Sequence, residues 1–240
     1  MFSQAGSAKR ALVVADGDVP TRAALDAAWP GWIDGIEFVV AADGGWEKAD
    51  SLGIRPDMLV GDGDSLPEGR FVELTAEGVP IERSLVDKDE SDAELAILAA
   101  LVRGATHVTV VGALGGRRLD HALANIGLLA LPNPPDAEIE LLDETTRVRL
   151  LRAPGENSEA VTCRLFGPIG ELVSLLPQGM PAVGVTTAGL LYPLRDETLA
   201  TGPARGLSNV SIAAEASVTL RNGCLLVIET RTDEPIEEKR

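Results

Sequence analysis

An apolar, strand-like run at residues 58–60 leads straight into Gly61, Asp62, Gly63, Asp64 and Ser65, so two carboxylates stand two residues apart on a glycine-hinged loop. Carboxylates at that spacing can converge on one hard divalent cation, and Mg2+ in phosphoryl-transfer sites typically takes one or two protein carboxylates plus phosphate oxygens. Asp and Gly are also the ordinary residues of a surface turn, so this loop alone decides nothing. It has company. Two further apolar runs end in loops of the same kind, one in Ala41, Ala42, Asp43, Gly44 and Gly45, the other in GALGGRRLDH at residues 112–121. In the latter, Gly115 and Gly116 let backbone approach a ligand, Arg117 and Arg118 offer forked donors to phosphate oxygens, and the following helix aims its N-terminus at the same place. His121 in that helix's first turn is more often a structural hydrogen-bonding residue than a catalyst. A further acidic stretch, DKDESD at 87–92, leads into a helix, where Asp92 would by itself be read as an ordinary helix-start carboxylate. Asp16 and Asp18, at the end of the first strand, read as a turn.

What must position these loops is an alternation of strand and helix. Short apolar runs at 12–15, 37–41, 58–60, 80–82, 107–111 and 139–142 alternate with helical patterns at 21–28, 46–52, 70–77, 91–103 and 119–131. The fourth helix is the best marked, with Ser91 and Glu94 as a capping box and Leu95, Leu98, Ala99 and Val102 at helical spacing. The pattern predicts a mostly parallel α/β domain over residues 10–143, after a loose leader at 1–9. The carboxyl ends of parallel strands share one edge, where ligands of open α/β sheets bind, so Asp43, Asp62, Asp64 and the 115–121 loop can meet there. After Asp143 the texture changes to short β-rich runs at 148–151, 161–166, 171–176, 183–187, 207–212, 217–220 and 224–229 with Gly and Pro turns. They predict a second, all-β domain over 144–232, a sandwich rather than an open sheet because an unpaired edge invites aggregation. Residues 233–240 read as a solvated tail.

Composition narrows the function classes. With 21 basic and 37 acidic residues the net charge is −16, which argues against nucleic-acid binding, where clustered Lys and Arg must neutralise phosphates. An anion such as ATP would need its metal and local basic groups to offset that field. Cys163 and Cys224 lie in strand-like apolar runs without zinc or CxxC spacing and read as reduced core residues. No apolar run approaches a membrane span or a secretion signal, so the expectation is a cytoplasmic protein without membrane contact. There is no GxxxxGK[ST], and GALGG is not GxGxxG, so any nucleotide is held differently.

Taken together, AADGG (41–45), PDMLVGDGDSL (56–66), DKDESDAELA (87–96), GALGGRRLDHALANI (112–126), SLLPQG (174–179), GVTTAGLLYPL (184–194) and LSN (207–209) resemble the thiamine pyrophosphokinase family, in its order and at compatible spacing. The resemblance implies an α/β catalytic domain followed by a β-sandwich, and a homodimer whose site is shared between one subunit's α/β domain and the other's sandwich. The implied reaction moves the terminal diphosphate of ATP onto the hydroxyethyl oxygen of thiamine, giving thiamine diphosphate and AMP. By the same resemblance Asp43, Asp62, Asp64 and Asp92 would hold Mg2+ and order the diphosphate. Gly44, Arg117, Arg118, Asp120 and His121 would contact ATP, and Tyr192, Ser208 and Asn209 would meet thiamine. One of the Asp residues would accept the alcohol proton, with Asp92 favoured and Asp64 also assigned a catalytic part. The chain departs from the family pattern at Gly63, where a bulky residue is usual, and at Ser91, where Thr is usual. GGRRLDH is longer by one residue than the usual motif, which leaves the phosphate role open between Arg117 and Arg118.

Three rivals use the same residues. A haloacid dehalogenase-type phosphatase would also place Asp62-x-Asp64 after an apolar strand, but its motif expects Thr where Leu66 stands. A pyrophosphokinase for another alcohol, such as a hydroxymethylpterin, would keep the Asp and Arg sites and change the sandwich. A catalytically silent thiamine or nucleotide sensor would have lost metal carboxylates, and all four are present.

Overall fold

The computed structural model describes residues 9–83, 89–132, 134, 137–153, 155 and 159–232. Most of the leader, the tail, and Asp87 and Lys88 of the DKDESD stretch lie outside the described residues. The chain divides into two compact units, residues 1–144 and 145–240.

In the first unit six strands, β1 (Arg10–Val14), β2 (Ile36–Ala42), β3 (Met58–Gly61), β4 (Ile81–Arg83), β5 (His107–Val111) and β6 (Glu138–Leu142), form a parallel sheet in the order β6-β5-β1-β2-β3-β4. Five helices connect them: α1 (Arg22–Ala28), α2 (Gly45–Ser51), α3 (Arg70–Ala76), α4 (Asp92–Val102) and α5 (Leu119–Leu128). The strands read as near-continuous apolar runs because helices cover both faces. Leu12 and Val14 of β1 pack with Leu25 and Trp29 of the α1 region and Ala49 of α2, while α4 packs against β1, β2, β3 and β5. Ala96, Ala99 and Ala100 are buried on α4, small enough for close approach to the sheet. Two helices start as their sequences predict: Thr21 accepts from the Ala24 N–H at 3.2 Å, and Ser91 accepts from the Glu94 N–H at 3.2 Å. α5 stops at Leu128, three residues short of its apolar pattern, and none of its residues is fully buried.

Strand order reverses at β1, which has β2 on one side and β5 on the other. Such a switch point leaves a crevice at the strands' carboxyl ends, where α/β ligands bind. Here the two flanking loops touch, since the Ala15 N–H donates to the Val111 carbonyl at 2.9 Å and the Gly17 N–H to the Gly112 carbonyl at 3.0 Å. The loops after β1 and β5 are thereby held at the site edge.

At the opposite end of β5, His107 lies 3.6 Å from Glu138 and 3.3 Å from the buried Glu140, which also accepts from Thr109 Oγ1 at 2.9 Å. Glu138 and Glu140 hold the imidazole up to about 9, against the opposing effects of burial and Arg10. A pKa raised above the unfolded 6.5 means that this stabilisation is complete below 6.5 and is lost as pH rises through 9. Urea unfolding of the wild type should therefore lose on the order of 2–3 kcal/mol between about pH 6 and pH 10, with His107→Gln largely removing that slope. Parallel slopes in the two proteins would show that His107 does not carry the effect.

The second unit contains β7 (Thr146–Ala153), β8 (Val161–Phe166), β9 (Leu172–Pro177), β10 (Ala182–Ala188), β11 (Glu197–Leu199), β12 (Asn209–Val210), β13 (Glu215–Leu220) and β14 (Gly223–Thr230). Their pairings are antiparallel, in the orders β12-β9-β14-β7 and β11-β10-β13-β8. Alternate residues of both sheets, among them Val173, Leu175, Leu225 and Val227 against Leu165, Val185, Val218 and Leu220, form one core, which makes the unit a sandwich. At the end of that core two buried carboxylates are paired, Glu229 with Arg149 and Glu171 with Arg231. β11 escapes sequence reading because three residues are too few to show alternation, and the 207–212 run forms a ladder only at Asn209–Val210. Both cysteines are reduced and half-buried; Cys163 packs against the core.

Candidate active site

Asp43 follows β2 directly and is 2% exposed. Its backbone takes a φ of 47°, a left-handed conformation that Asp tolerates better than most residues. In that pose its carboxylate reaches the loop after β3, where Oδ1 accepts the Gly63 N–H at 3.0 Å and Oδ2 the Ser65 N–H at 3.1 Å. The same loop is tied within itself, since Asp62 accepts the Asp64 N–H at 3.1 Å and Ser65 Oγ donates to Asp64 at 3.2 Å. The result brings one oxygen of each of Asp43, Asp62 and Asp64 within 4.8 Å of one another, one carboxylate buried, one half-buried and one exposed.

Such a cluster is electrostatically costly without a cation. Burial pushes the Asp43 carboxyl up, Asp64 and Asp92 push it the same way, and the Ser65 hydrogen bonds oppose them. The donors are all anionic oxygens, which suits a hard divalent cation rather than a soft thiolate- or imidazole-binding metal. Asp92 stands at the first position of α4, next to the Ser91 cap, and its charge acts on Asp43 although it is not one of the three converging carboxylates.

Asp16 lies in a bend, as its sequence suggests, and also joins this environment. A Cβ at Gly44 would lie 2.1 Å from Asp16 Oδ1, so the loop after β2 rests directly on this carboxylate. Burial raises Asp16, Lys48 opposes that, and Asp43 and Asp64 add to it. The signal available in sequence was its position two residues past β1, at the same sheet edge as Asp43 and Asp62, which directly follow β2 and β3.

After β5 the glycine-rich loop leads to α5, capped by Arg118 backbone without a side-chain bond. Arg118 is engaged by Asp120, at 2.8 and 2.5 Å, and Asp120 is held well below the usual carboxylate range by that guanidinium. Arg117 is exposed and, among the described residues, makes no ion pair; His121 is exposed in the helix's first turn. Asn125 Nδ2 donates to the Ala113 carbonyl at 2.9 Å, fastening the loop to its own helix.

In the second unit Asn209 is buried, and its amide is engaged at both ends: Oδ1 accepts from Tyr192 N–H at 3.0 Å and Val210 N–H at 2.9 Å, while Nδ2 donates to the Tyr192 carbonyl at 2.7 Å. Tyr192 itself is 58% exposed. Ser208 beside them is exposed with φ 54°, and its N–H donates to Ser174 Oγ at 3.1 Å. Among the described residues Asp43 and Ser208 are two of three non-glycine residues with positive φ, the third being Asp196. Backbone strain of this kind gathers at functional loops.

Comparison with known proteins decides the family. Residues 31–141 match the description "Thiamin pyrophosphokinase, catalytic domain" and residues 163–225 match "Thiamin pyrophosphokinase, vitamin B1 binding domain". The chain belongs to the thiamin pyrophosphokinase family. Thiamine pyrophosphokinase of Bacillus subtilis is 27% identical over 203 residues, 83% of this chain and 90% of that one. Thiamine pyrophosphokinase 1 of Arabidopsis thaliana is 28% identical over 185 residues, 72% of this chain and 66% of that protein. The crystal structure of the Bacillus subtilis enzyme superposes with a TM-score of 0.77 at 25% identity, covering 93% of this chain and all of that one. The first match spans the strand-end Asp loops and the arginine loop, and the second spans Tyr192, Ser208 and Asn209.

Proposed function

We propose that this member of the thiamin pyrophosphokinase family transfers the terminal diphosphate of Mg-ATP to thiamine, giving thiamine diphosphate and AMP. The observation that carries the reading is the convergence of Asp43, Asp62 and Asp64 within 4.8 Å at adjoining strand ends of the catalytic unit. Mg2+ held there would neutralise the diphosphate oxygens and polarise the phosphorus under attack. Diphosphate transfer asks the protein mainly for positioning and charge compensation. The hydroxyethyl oxygen of thiamine attacks the β-phosphorus of ATP, the bond from that phosphorus to the α–β bridging oxygen breaks, and AMP leaves. Asp92, at the start of α4, takes the alcohol proton, while Asp64 helps hold the diphosphate. Arg117 is the better phosphate donor of its pair because Arg118 is occupied by Asp120. Gly44 and His121 lie against the nucleotide. Tyr192 and Ser208 line the thiamine pocket, with Asn209 shaping it through the Tyr192 backbone. The assembly that suits this reading is a homodimer with the site shared between copies. No helix of the described residues is long and apolar enough to cross a membrane, and the ATP requirement suits a cytoplasmic setting.

The test is product analysis of the purified protein with ATP, Mg2+ and thiamine, following AMP and thiamine diphosphate together. Matched appearance of both is expected. AMP formed only with a hydroxymethylpterin would move the acceptor, and ATP left intact with every alcohol would leave a binding protein.

Asn209→Ala would strand two backbone N–H groups and a carbonyl in a buried setting, at a cost of about 2–3 kcal/mol in stability. Its effect on turnover kinetics should fall on one substrate. The KM for thiamine is expected to rise about tenfold with that for ATP changed less than about twofold. Equal rises would take Asn209 out of the thiamine pocket.

A further inference from the structure

The loop that carries Asp62 and Asp64 rests on an aromatic ring. A Cβ added at Gly63 would stand 2.3 Å from Cδ2 and 3.0 Å from Cε2 of Phe71, the second residue of α3. The loop backbone therefore touches the ring edge itself, with Gly63 at a φ of 83° that leaves no room for a side chain. The Arg83 guanidinium sits 4.6 Å from the ring centroid. Phe71 packs in turn on Ala41, Trp46, Leu59, Leu66 and Leu74. Ala41 lies two residues before Asp43, and Leu66 follows Ser65, so this one apolar cluster anchors both acidic loops. α3 is moored to α2 by Arg70, whose Nε meets Glu47 at 3.1 Å and Nη2 meets Asp50 at 3.2 Å. α2 begins at Gly45, immediately after the Asp43-Gly44 step.

We propose that Phe71 is a positioning residue for the cation site, a floor that fixes Gly63 and with it the separation of Asp62 and Asp64 from Asp43. The three carboxylates repel one another and would spread a free loop. Asp43 draws the loop down through the Gly63 and Ser65 N–H groups, and the ring resists from the other side, so the loop is clamped between a carboxylate and an aromatic edge. Packed contacts of this kind transmit small displacements because interiors have little slack. The inference rests on the reading of Asp43, Asp62 and Asp64 as a cation site.

The experiment is Mn2+ binding to nucleotide-free protein, read from the paramagnetic resonance signal of free Mn2+, for wild type, Phe71→Ala, Gly63→Ala and the double variant. Each single change is expected to weaken Mn2+ binding by about five- to tenfold, and the double change by no more than the weaker single, because the new methyl at 63 enters the space the ring leaves. The backbone penalty of a left-handed Ala at 63 is the same in both backgrounds and cancels in the cycle. Unchanged Mn2+ affinity in Phe71→Ala, or strictly additive losses, would overturn the proposal. If Phe71→Ala does not fold, Phe71→Leu, which keeps apolar volume for the cluster, completes the same cycle. Asp64→Asn separates this inference from its premise. If that variant binds Mn2+ like the wild type, the cation site itself is misassigned; if it loses Mn2+ while Phe71→Ala does not, only the role of Phe71 falls.

Discussion

Asp64→Asn is expected to lower turnover by about a hundred- to a thousandfold at saturating thiamine and ATP while leaving the melting temperature at or slightly above that of the wild type. The two halves of this expectation come from the same electrostatics. Asp64 is exposed, and its bond from Ser65 Oγ at 3.2 Å is one an amide oxygen can also accept, so the loop keeps its fold. Its charge raises the proton affinity of Asp16, and its carboxyl set against that of Asp43 raises Asp43 too, so neutralising Asp64 relieves repulsion in the resting protein. What is lost is a third of the anionic donor set available to a cation, and with it the charge compensation of the transferred diphosphate. The decisive measurement is single-turnover formation of AMP across a Mg2+ titration, beside thermal melting without nucleotide. Near wild-type turnover at high Mg2+ would remove Asp64 from the site.

The fold class was legible because two periodicities are cleanly separated in this chain. Residues such as Leu12, Val14, Val40 and Leu59 stand in short apolar runs because helices cover both faces of their sheet, whereas Ala216, Val218 and Leu220 alternate with half-buried neighbours because the sandwich has one inner face. Capping chemistry located the start of α4 to the residue, since Ser91 must satisfy an orphan N–H group there, whereas α1 was marked only by its pattern and Thr21 caps it from just outside. Loops were legible by type and not by contact. Parallel strands send their carboxyl ends to one edge, so Asp43, Asp62 and Asp64 could be brought together on topology alone. Topology sends Asp16 to the same edge, but its contact could not be read, because its partner is a space at Gly44, and a residue's absence of a side chain carries no sign of what fills it. The same holds for Gly63, whose ring neighbour Phe71 lies eight residues on in a helix whose apolar pattern already explained it. Asn209 shows the opposite limit. Its residue type marks a polar contact, but only the fold shows that the Tyr192 and Val210 backbone takes both lone pairs of its oxygen and one of its N–H donors.

Asp43 should separate architecture from chemistry more sharply than Asp64, because it ties the loop after β3 to the end of β2 through two backbone N–H groups. Asp43→Ala removes acceptors for the Gly63 and Ser65 N–H groups and puts a residue with no local hydrogen bonding at a φ of 47°. The cost is on the order of 2–3 kcal/mol, reduced somewhat because a buried, mutually repelled carboxylate is itself destabilising. Turnover is expected to fall by about a thousandfold or more, since the loop bearing the other two ligands is released at the same time. Asp43→Asn should split the two effects. An amide tolerates the left-handed backbone and keeps one good acceptor for the loop, so most of the melting temperature returns, yet the donor set has lost its buried charge and turnover stays low. Added Mg2+ completes the argument: it should raise the melting temperature of the wild type, where it relieves repulsion among the carboxylates, and leave Asp43→Asn almost unmoved. A variant that regains stability and turnover together would make Asp43 a loop-holding residue only, and the cation would then have to be held by the exposed end of the cluster.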